Sequence, residues 1–218
     1  MPTILQIETS STNTSVVLTK NGKVIGVKEQ DSSGYSHEKL LHPFIEEVLQ
    51  QGGIALNEID AVAIGTGPGS FTGLRIGVAA AKGLCFALDV PLIAVPTMEL
   101  LARQVTTSVD RIIPIVDARR MEVYTAIYDK DYKELTPTYA KILDEDAYDD
   151  IENLSLVFVG SGARKLKELR AYKNAVFLTD SQPSALEMTM SALERFKAKI
   201  WEDTAYFEPF YLKDFKPH

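Results

Sequence analysis

The spacing of apolar residues predicts a chain that opens with three strands and continues with alternating helices and strands. Strands are expected at Thr3–Glu8, Ser15–Thr19 and Lys23–Gln30, because apolar residues recur there in short runs. The Asn21-Gly22 pair between the second and third strands is typical of a two-residue hairpin turn. The same analysis predicts, further along, helices at 36–51, 71–88 and 97–106 and strands at 61–65 and 92–95.

The order of these elements indicates a fold class. Three strands followed by helix, strand, helix, strand and helix is the order of a ribonuclease-H-like domain, the repeating half of actin, Hsp70 and sugar kinases. After Asp110 the pattern partly restarts, with strands at 112–116, 123–129, 136–142 and 156–159 and helices at 163–171 and 184–201. We therefore predict an α/β protein of actin/Hsp70/sugar-kinase-type architecture, with an N-terminal domain at 1–108 and an abbreviated second half at 109–218.

Composition narrows the range of functions. The chain has 218 residues, of which 45% are hydrophobic and 24% charged, as in folded globular proteins. A formal net charge of −7 argues against strong unaided binding of nucleic acid, because neutralising phosphates requires Lys and Arg. The single cysteine, Cys85, excludes an internal disulfide framework and a cysteine-rich zinc site, and it suits a reducing cytoplasm.

No membrane segment or signal peptide is predicted. The most apolar helical stretch, at 78–88, is interrupted by Lys82 and Gly83 and is too short to span a bilayer. The N-terminus lacks the basic and long apolar regions of a signal peptide. We expect a cytoplasmic protein.

The most informative segment is the glycine-rich turn and helix start GTGPGSFTGLRIG, at 65–77. Ser70 or Thr72 can cap the helix, and its free amides can receive an anion, with Gly67, Gly69 and Ser70 as candidate contacts. The segment is neither a Walker A loop, which needs Gly-Lys-Ser/Thr, nor a dinucleotide-binding fingerprint. A sharp turn with close helix packing also explains its glycines.

Two further turns are candidates for weak contact with a nucleotide or anion. Glu8, Thr9 and Ser10 follow the first strand, where the wider actin-like family holds magnesium through water and contacts phosphates. Gly160 and Gly162 follow the strand at 156–159, at the equivalent turn of the second half. For both, an ordinary surface turn is the alternative explanation.

GPGSFTGLRIG closely resembles the signature of the TsaB (YeaZ) family of bacterial tRNA threonylcarbamoyladenosine biosynthesis proteins, part of the TsaD/glycoprotease-like superfamily. Residues 4–10 (ILQIETS), 36–41 (SHEKLL) and 117–124 (DARRMEVY) also resemble conserved stretches of this family. The similarity is dense over residues 1–129 and thin beyond them.

The resemblance implies that the catalytic site is lost. In the catalytic paralogue TsaD, two histidines four residues apart follow the fifth strand and hold a metal. Thr97 and Leu101 stand at those positions here, and leucine has no lone pair to donate. His37 and His42 are five residues apart and point in different directions on a helix, so we interpret them as ordinary polar helix residues. We expect no catalytic residues and no metal site.

The resemblance also implies that helices 36–51 and 71–88 meet the equivalent pair of TsaD in a four-helix bundle and self-associate when TsaD is missing. Pro43 lies in the first of these helices, where it either kinks the helix or marks a later start. The small side chains of the second helix permit close helix approach, although both helices can also be explained as core. The candidate interface residues are Leu40, Leu41, Phe44, Ile45, Val48, Arg75, Ile76, Ala80 and Leu84.

The expected function is that of a non-catalytic scaffold subunit that binds and stabilises TsaD. The complex would transfer a threonylcarbamoyl group to the adenosine beside the anticodon of tRNAs that read codons beginning with A. Its partners would be TsaD, the ATPase TsaE and a second copy of the chain when alone, with tRNA reached only through the complex. No cofactor is expected to bind tightly, and ATP or ADP only in the assembled complex.

The alternative comes from a different class: an autonomous ATPase or metalloprotease-like hydrolase of the actin-like superfamily. Such an enzyme would hold a metal or turn over without partners. The aromatic C-terminal segment, Tyr206–Phe215, is expected to dock onto a protein surface rather than to stack on bases.

Overall fold

A computed structural model describes residues 1–32 and 36–213 and divides the chain into two compact units. Unit 1 consists of Met1–Leu100 and the segment from Pro183 onward, and unit 2 of Leu101–Gln182. The elements, in chain order, are β1 (Thr3–Glu8), β2 (Asn13–Lys20), β3 (Lys23–Asp31), α1 (His37–Gly52), β4 (Ala61–Gly65), α2 (Phe71–Leu88), β5 (Leu92–Val95), α3 (Thr97–Arg103), β6 (Arg111–Asp117), β7 (Glu122–Tyr128), β8 (Glu134–Ile142), β9 (Leu156–Val159), α4 (Ala163–Leu169), β10 (Ala175–Leu178) and α5 (Met188–Ala198).

The sheet of unit 1 has the strand order β3-β2-β1-β4-β5. The first three strands pair antiparallel, and β1, β4 and β5 pair parallel. The predicted hairpin is confirmed: Asn21 and Gly22 both have positive φ, as a two-residue hairpin turn requires, and Lys20 pairs with Lys23.

The sheet of unit 1 is covered on both faces, because successive side chains of a strand point to opposite sides. Leu5 and Ile7 of β1 face a cluster formed with α1 and α2. Ile4 faces the other cluster, to which α5 contributes Met188 and Ala192. Burial on both faces explains why β1 and β4 are almost uninterrupted runs of buried residues.

The sheet of unit 2 repeats this plan in shortened form. Its order is β10-β9-β6-β7-β8, with β6, β7 and β8 antiparallel and β6, β9 and β10 parallel. A three-residue 3-10 helix, Asp149–Ile151, stands where unit 1 has α1, and the seven-residue α4 stands where it has α2. The predicted α/β architecture with an abbreviated second half is confirmed.

The structure differs from the sequence-based prediction in three elements. The predicted domain boundary after residue 108 assigned the helix at 184–201 to the second half, whereas α5 packs on β1, β4 and β5 of unit 1. Strand β10 was not predicted, because AVFL is only four residues long and shows no alternation of apolar and polar residues. Helix α1 begins at His37 and continues through Pro43, which is exposed, so a later start at Pro43 is wrong.

Among the described helices, α2 alone is long and apolar enough to cross a membrane by length and composition, with a mean hydropathy of 1.4. Its Leu74, Val78, Ala81 and Cys85 are buried against the core cluster of unit 1. This packing is that of a core helix of a folded unit, and we assign α2 to the core of unit 1.

Candidate functional site

The glycine-rich turn between β4 and α2 packs directly on the turn that follows β1. The Ser70 amide donates to the Ser10 carbonyl at 2.7 Å, and the Thr9 hydroxyl donates to the Gly73 carbonyl at 2.8 Å. A Cβ atom at Gly69 or Gly73 would overlap the carbonyl oxygen of Ser10 or Thr9. Glycine is therefore required at these positions for close backbone approach.

These contacts occupy several of the groups predicted to bind an anion, although among the described residues the buried Ser10 hydroxyl has no hydrogen-bond partner. Ser70 is the N-cap of α2, since its Oγ accepts the Gly73 amide at 3.2 Å. Thr9 and Ser10 are buried beneath the same turn. Gly67, held by Thr97, is also buried. The contacts thus account for these residues as close packing, and contact with a nucleotide stays a prediction.

Glu8 lies at the bottom of this packed turn. Its side chain is fully buried, and Oε1 accepts the Ser10 amide at 2.5 Å. Among the residues that the structure describes, Oε2 has no hydrogen-bond partner, and a Cβ at Gly65 would overlap it. Burial raises the pKa of the Glu8 carboxyl, and the hydrogen bonds to Ser10 oppose this effect without cancelling it. The environment therefore favours the neutral acid.

The equivalent turn of unit 2 is packed in the same way. The Gly160 amide donates to Leu178 at 3.0 Å, and the Gly162 amide donates to Ile115 at 2.9 Å. Gly160 has φ +117, and a Cβ there would lie 2.7 Å from the Ile115 carbonyl oxygen. The positive φ and the close approach of the Ile115 carbonyl explain why residue 160 is a glycine. A nucleotide contact at Gly160 and Gly162 stays a prediction.

Thr97 and Leu101, which were expected to correspond to the metal ligands of the catalytic paralogue, are both fully buried. Thr97 Oγ1 accepts the Gly67 amide at 3.0 Å, and the Thr97 amide donates to the Gly67 carbonyl at 3.1 Å. Thr97 therefore holds the glycine-rich turn in place. Over residues 1–32 and 36–213, no group of three or more His, Cys, Asp or Glu side chains is placed to hold a metal ion.

The interpretation of His37 as an ordinary polar helix residue is wrong, whereas His42 is exposed. His37 is 1% exposed; Nδ1 lies 2.8 Å from Thr14 Oγ1 and Nε2 lies 2.9 Å from the Ser11 carbonyl oxygen. Burial lowers the pKa of this imidazole. Sequence reasoning missed it because its partners are 23 and 26 residues away along the chain.

The candidate interface residues divide into two sets. Four residues of α1 belong to the core of unit 1 and are not available at its surface: Leu41, Phe44, Ile45 and Val48. This corrects the prediction, because the periodic apolar stripe of α1 is the face that packs on the sheet. We call the remaining apolar residues, together with the exposed Gly83, the outer helix surface: Leu40, Ile76, Ala80, Gly83 and Leu84.

The two helices that carry the outer helix surface differ in charge. Helix α1 contains three glutamates and one lysine, whereas α2 contains one arginine, one lysine and no acidic residue. Surfaces of opposite sign favour association and fix its orientation.

The C-terminal segment docks along the side of α2, next to the outer helix surface. Lys82 Nζ donates to the carbonyl oxygens of Ala205 and Phe207 at 3.0 and 2.9 Å. The predicted interface residue Arg75 is exposed, lies over the Phe71 ring at 4.0 Å and donates to the Tyr211 hydroxyl at 3.4 Å. Of the aromatic tail residues, Phe207 packs against the core cluster of unit 1 and Tyr211 against Phe71, whereas Tyr206 and Phe210 are exposed and Phe215 lies outside the described residues.

Comparisons with known proteins agree with the motifs. The family model for TsaD, tRNA N6-adenosine threonylcarbamoyltransferase, matches residues 27–215. The tRNA threonylcarbamoyladenosine biosynthesis protein TsaB of Escherichia coli (strain K12) is 31% identical over 221 residues, which cover 97% of this chain and 94% of that protein. The crystal structure of YeaZ from Pseudomonas aeruginosa superposes with a TM-score of 0.86 at 26% identity, covering 97% of this chain and 100% of that one.

A more distant structure bears on the fold alone. The activator of the 2-hydroxyisocaproyl-CoA dehydratase from Clostridium difficile, solved with bound ADPNP, superposes with a TM-score of 0.51 at 12% identity, covering 91% of this chain and 96% of that one. The predicted relation to the actin-like architecture is therefore confirmed, together with the family resemblance.

Proposed function

This chain belongs to the TsaB family of tRNA threonylcarbamoyladenosine biosynthesis proteins, and we propose that it is a non-catalytic subunit that binds and stabilises TsaD. In this role it acts in the cytoplasm and supports transfer of the threonylcarbamoyl group to the adenosine beside the anticodon. TsaE joins the assembly, tRNA is reached only through the complex, and ATP or ADP binds only there. The alternative, an autonomous ATPase or hydrolase, predicts a bound metal or turnover without partners.

The observation that supports a non-catalytic role is the environment of Thr97. Its hydroxyl is buried and takes up the Gly67 amide, so it serves the packing of the glycine-rich turn. Leu101, the second position, is a buried apolar side chain without a lone pair. A chain that uses these positions for its core does not hold the metal of the catalytic paralogue.

The outer helix surface supports a binding role. Leu40, Ile76 and Leu84 are partly buried apolar residues at the edge of the core, and Ala80 and Gly83 lie between them on α2. Small residues let a partner helix approach closely, and larger ones beside them supply apolar area. The same surface would also pair two copies of this chain, so TsaD would displace one copy of a homodimer.

A matched pair of substitutions on α2 tests this proposal. Ala80→Glu places a carboxylate in the outer helix surface, whereas Ala79→Glu places it one residue earlier on the exposed side that faces the C-terminal segment. An unpaired charge in a helix seam costs several kcal/mol, so Ala80→Glu should weaken TsaD binding on the order of a hundredfold. Ala79→Glu should bind as the parent does. Binding is measured by calorimetry with TsaD of the same organism.

The control for folding is the thermal unfolding of both variants, which should match the parent within a few degrees. Leu41→Glu, by contrast, should unfold the chain, because Leu41 is fully buried in unit 1. Folded Ala80→Glu that still binds TsaD as tightly as the parent would show that the proposed surface is wrong. Loss of binding in both alanine variants would place the contact elsewhere on α2.

A further inference from the structure

The His37 ring connects three elements of unit 1. It begins α1, its Nδ1 meets Thr14 of β2, and its Nε2 meets the Ser11 carbonyl of the β1–β2 turn. A Cβ at Gly73 of α2 would lie 3.1 Å from Nε2, so α2 passes directly over the same ring. The ring therefore lies where α1, α2 and the β1–β2 turn meet.

The hydrogen-bond partners determine which nitrogen carries the proton. A carbonyl oxygen only accepts, so Nε2 must donate to Ser11. In the neutral ring Nδ1 then accepts from the Thr14 hydroxyl. The neutral Nε2–H tautomer satisfies both contacts and places no charge in the buried site.

The β1–β2 turn fastens α2 as well as α1. Thr9 Oγ1 donates to the Gly73 carbonyl, and Ser11 accepts from His37. Both helices that carry the outer helix surface are thus fixed near their N-termini to one short turn. Any movement of the His37 ring changes how α1 is seated beside α2.

We propose that neutral His37 is a positioning residue that sets α1 against α2 and so shapes the outer helix surface for its partner. The partner in this inference rests on the proposed function. Protonation at Nδ1 would add a second N–H facing Thr14, whose hydroxyl would then have to turn its own proton away inside the core. It would also leave a positive charge at a buried position.

Ionisable side chains on the surrounding elements are Glu8 on β1, Glu38 and Lys39 on α1 and Arg75 on α2. Burial raises the pKa of the Glu8 carboxyl, whose Oε1 accepts the Ser10 amide. Glu38, Lys39 and Arg75 are exposed to solvent. Burial of the His37 ring disfavours its cationic form, so acidic solution should loosen the seating of α1.

The direction of the pH effect follows from the lowered pKa of His37. The unfolded chain takes up the proton near the ordinary pKa of about 6.5, and the folded chain does so only at lower pH. The neutral His37 ring contributes its full stabilisation of the fold above the ordinary pKa of about 6.5. This stabilisation is lost as the pH falls through the pKa that His37 has in the folded chain. Affinity for TsaD depends on the protonation of the folded chain and should fall as the pH drops towards the pKa of folded His37.

The first experiment is a nitrogen-15 NMR titration of the imidazoles in the isolated full chain. The three histidines give separate reporters. The expected spectrum shows His37 as the Nε2–H tautomer, titrating below the ordinary imidazole pKa of about 6.5. An Nδ1–H tautomer, or titration at or above that ordinary value, would overturn the proposal.

The second experiment measures TsaD binding between pH 5.5 and 8. His37→Phe fills the volume without hydrogen bonds and should weaken binding tenfold or more at pH 7.5. His37→Gln keeps a neutral donor for Ser11 and should bind within threefold of the parent, without the parent's additional loss in acid. His42→Gln is the matched control and should keep the parental pH profile.

The proposal fails if folded His37→Phe binds TsaD as tightly as the parent, or if His37→Gln retains the parental acid profile. If the parent itself does not bind TsaD at any pH, the proposed function fails separately. Amide hydrogen exchange in the isolated chain then decides about His37. His37→Phe should speed exchange at least tenfold in the first turns of α1 and α2, and unchanged exchange there would refute the positioning role.

Discussion

At the scale of single residues, the buried carboxyl of Glu8 should make stability fall as the pH rises. Its pKa is raised by burial, so the folded chain holds this proton more tightly than the unfolded chain does. The protonated Glu8 carboxyl stabilises the fold fully below its ordinary pKa. This stabilisation is lost as the pH rises through the pKa that Glu8 has in the folded chain. Glu8→Gln removes the titration, so its unfolding free energy should change less between pH 5 and pH 8 than that of the parent.

Urea unfolding at several pH values checks this prediction. A tenfold difference in proton affinity corresponds to about 1.4 kcal/mol, which is measurable in this way. Glu38→Gln is the matched control, because Glu38 is exposed on α1, and it should leave the parental pH dependence unchanged. Parallel curves for Glu8→Gln and the parent would mean that Glu8 is ionised in the folded chain.

Individual residues were the hardest part of the molecule to predict from sequence. Thr97 and Ser70 hold the glycine-rich turn through a hydrogen bond and a helix cap, and only the cap has a local sequence signal. His37 is buried by partners on a turn and a strand more than twenty residues away. Such contacts arise only when the sheet and α1 come together, so no window of sequence contains them.

At the scale of elements, two glycines of α2 should respond in opposite ways to the same substitution. A Cβ at Gly77 would overlap Thr9 Oγ1, whereas no atom of the described residues lies within 4 Å of a Cβ at Gly83. Gly83→Ala should therefore stabilise the chain by about 0.5–1 kcal/mol, because alanine favours a helix interior. Gly77→Ala should destabilise it by roughly 1–3 kcal/mol, since α2 must move away from the β1–β2 turn.

Thermal unfolding of the two alanine variants decides this point. Both substitutions lie in the same helix and share the same gain in helix propensity, so their difference isolates the packing against Thr9. Equal stability of the two variants would mean that α2 is not held against the turn at Gly77.

Elements with a clear periodic pattern were predicted almost to the residue, as β1, β4, β5 and α2 show. Their ends carry local signals, such as the Ser70 cap of α2. The faces of α1 were not separable, because Leu40 and Leu41 are adjacent leucines and only the packed sheet distinguishes the core residue from the outer one. The interface prediction consequently included four core residues.

At the scale of the whole molecule, residues 183 onward belong to unit 1 although they follow unit 2 in sequence. The partial repeat of strands after Asp110 made a simple division into two consecutive halves the natural prediction. It fails because the first sheet is hydrophobic on both faces and needs a covering helix on each. Helix α5 supplies the second cover, and the C-terminal segment then crosses to α2, where Lys82 holds it.

Two truncations test this return of the chain. A chain ending at Gln182 lacks α5 and leaves the face of the first sheet that carries Ile4 and Ile93 uncovered. Burial of Met188, Leu193 and these partners contributes on the order of 6–12 kcal/mol, comparable to the whole stability of a typical domain. This truncation should therefore lose the cooperative unfolding of unit 1. A chain ending at Trp201 keeps α5 and should stay folded at a lower melting temperature, because it loses the packing of the C-terminal segment on α2 and the backbone contacts of Glu202 with Leu92 and of Phe210 with Thr66. Circular dichroism melting with amide exchange of β1 distinguishes these outcomes. If the chain ending at Gln182 melts cooperatively with β1 protected as in the full chain, unit 1 does not depend on α5 and the division after residue 108 is the better description of the stability of the molecule.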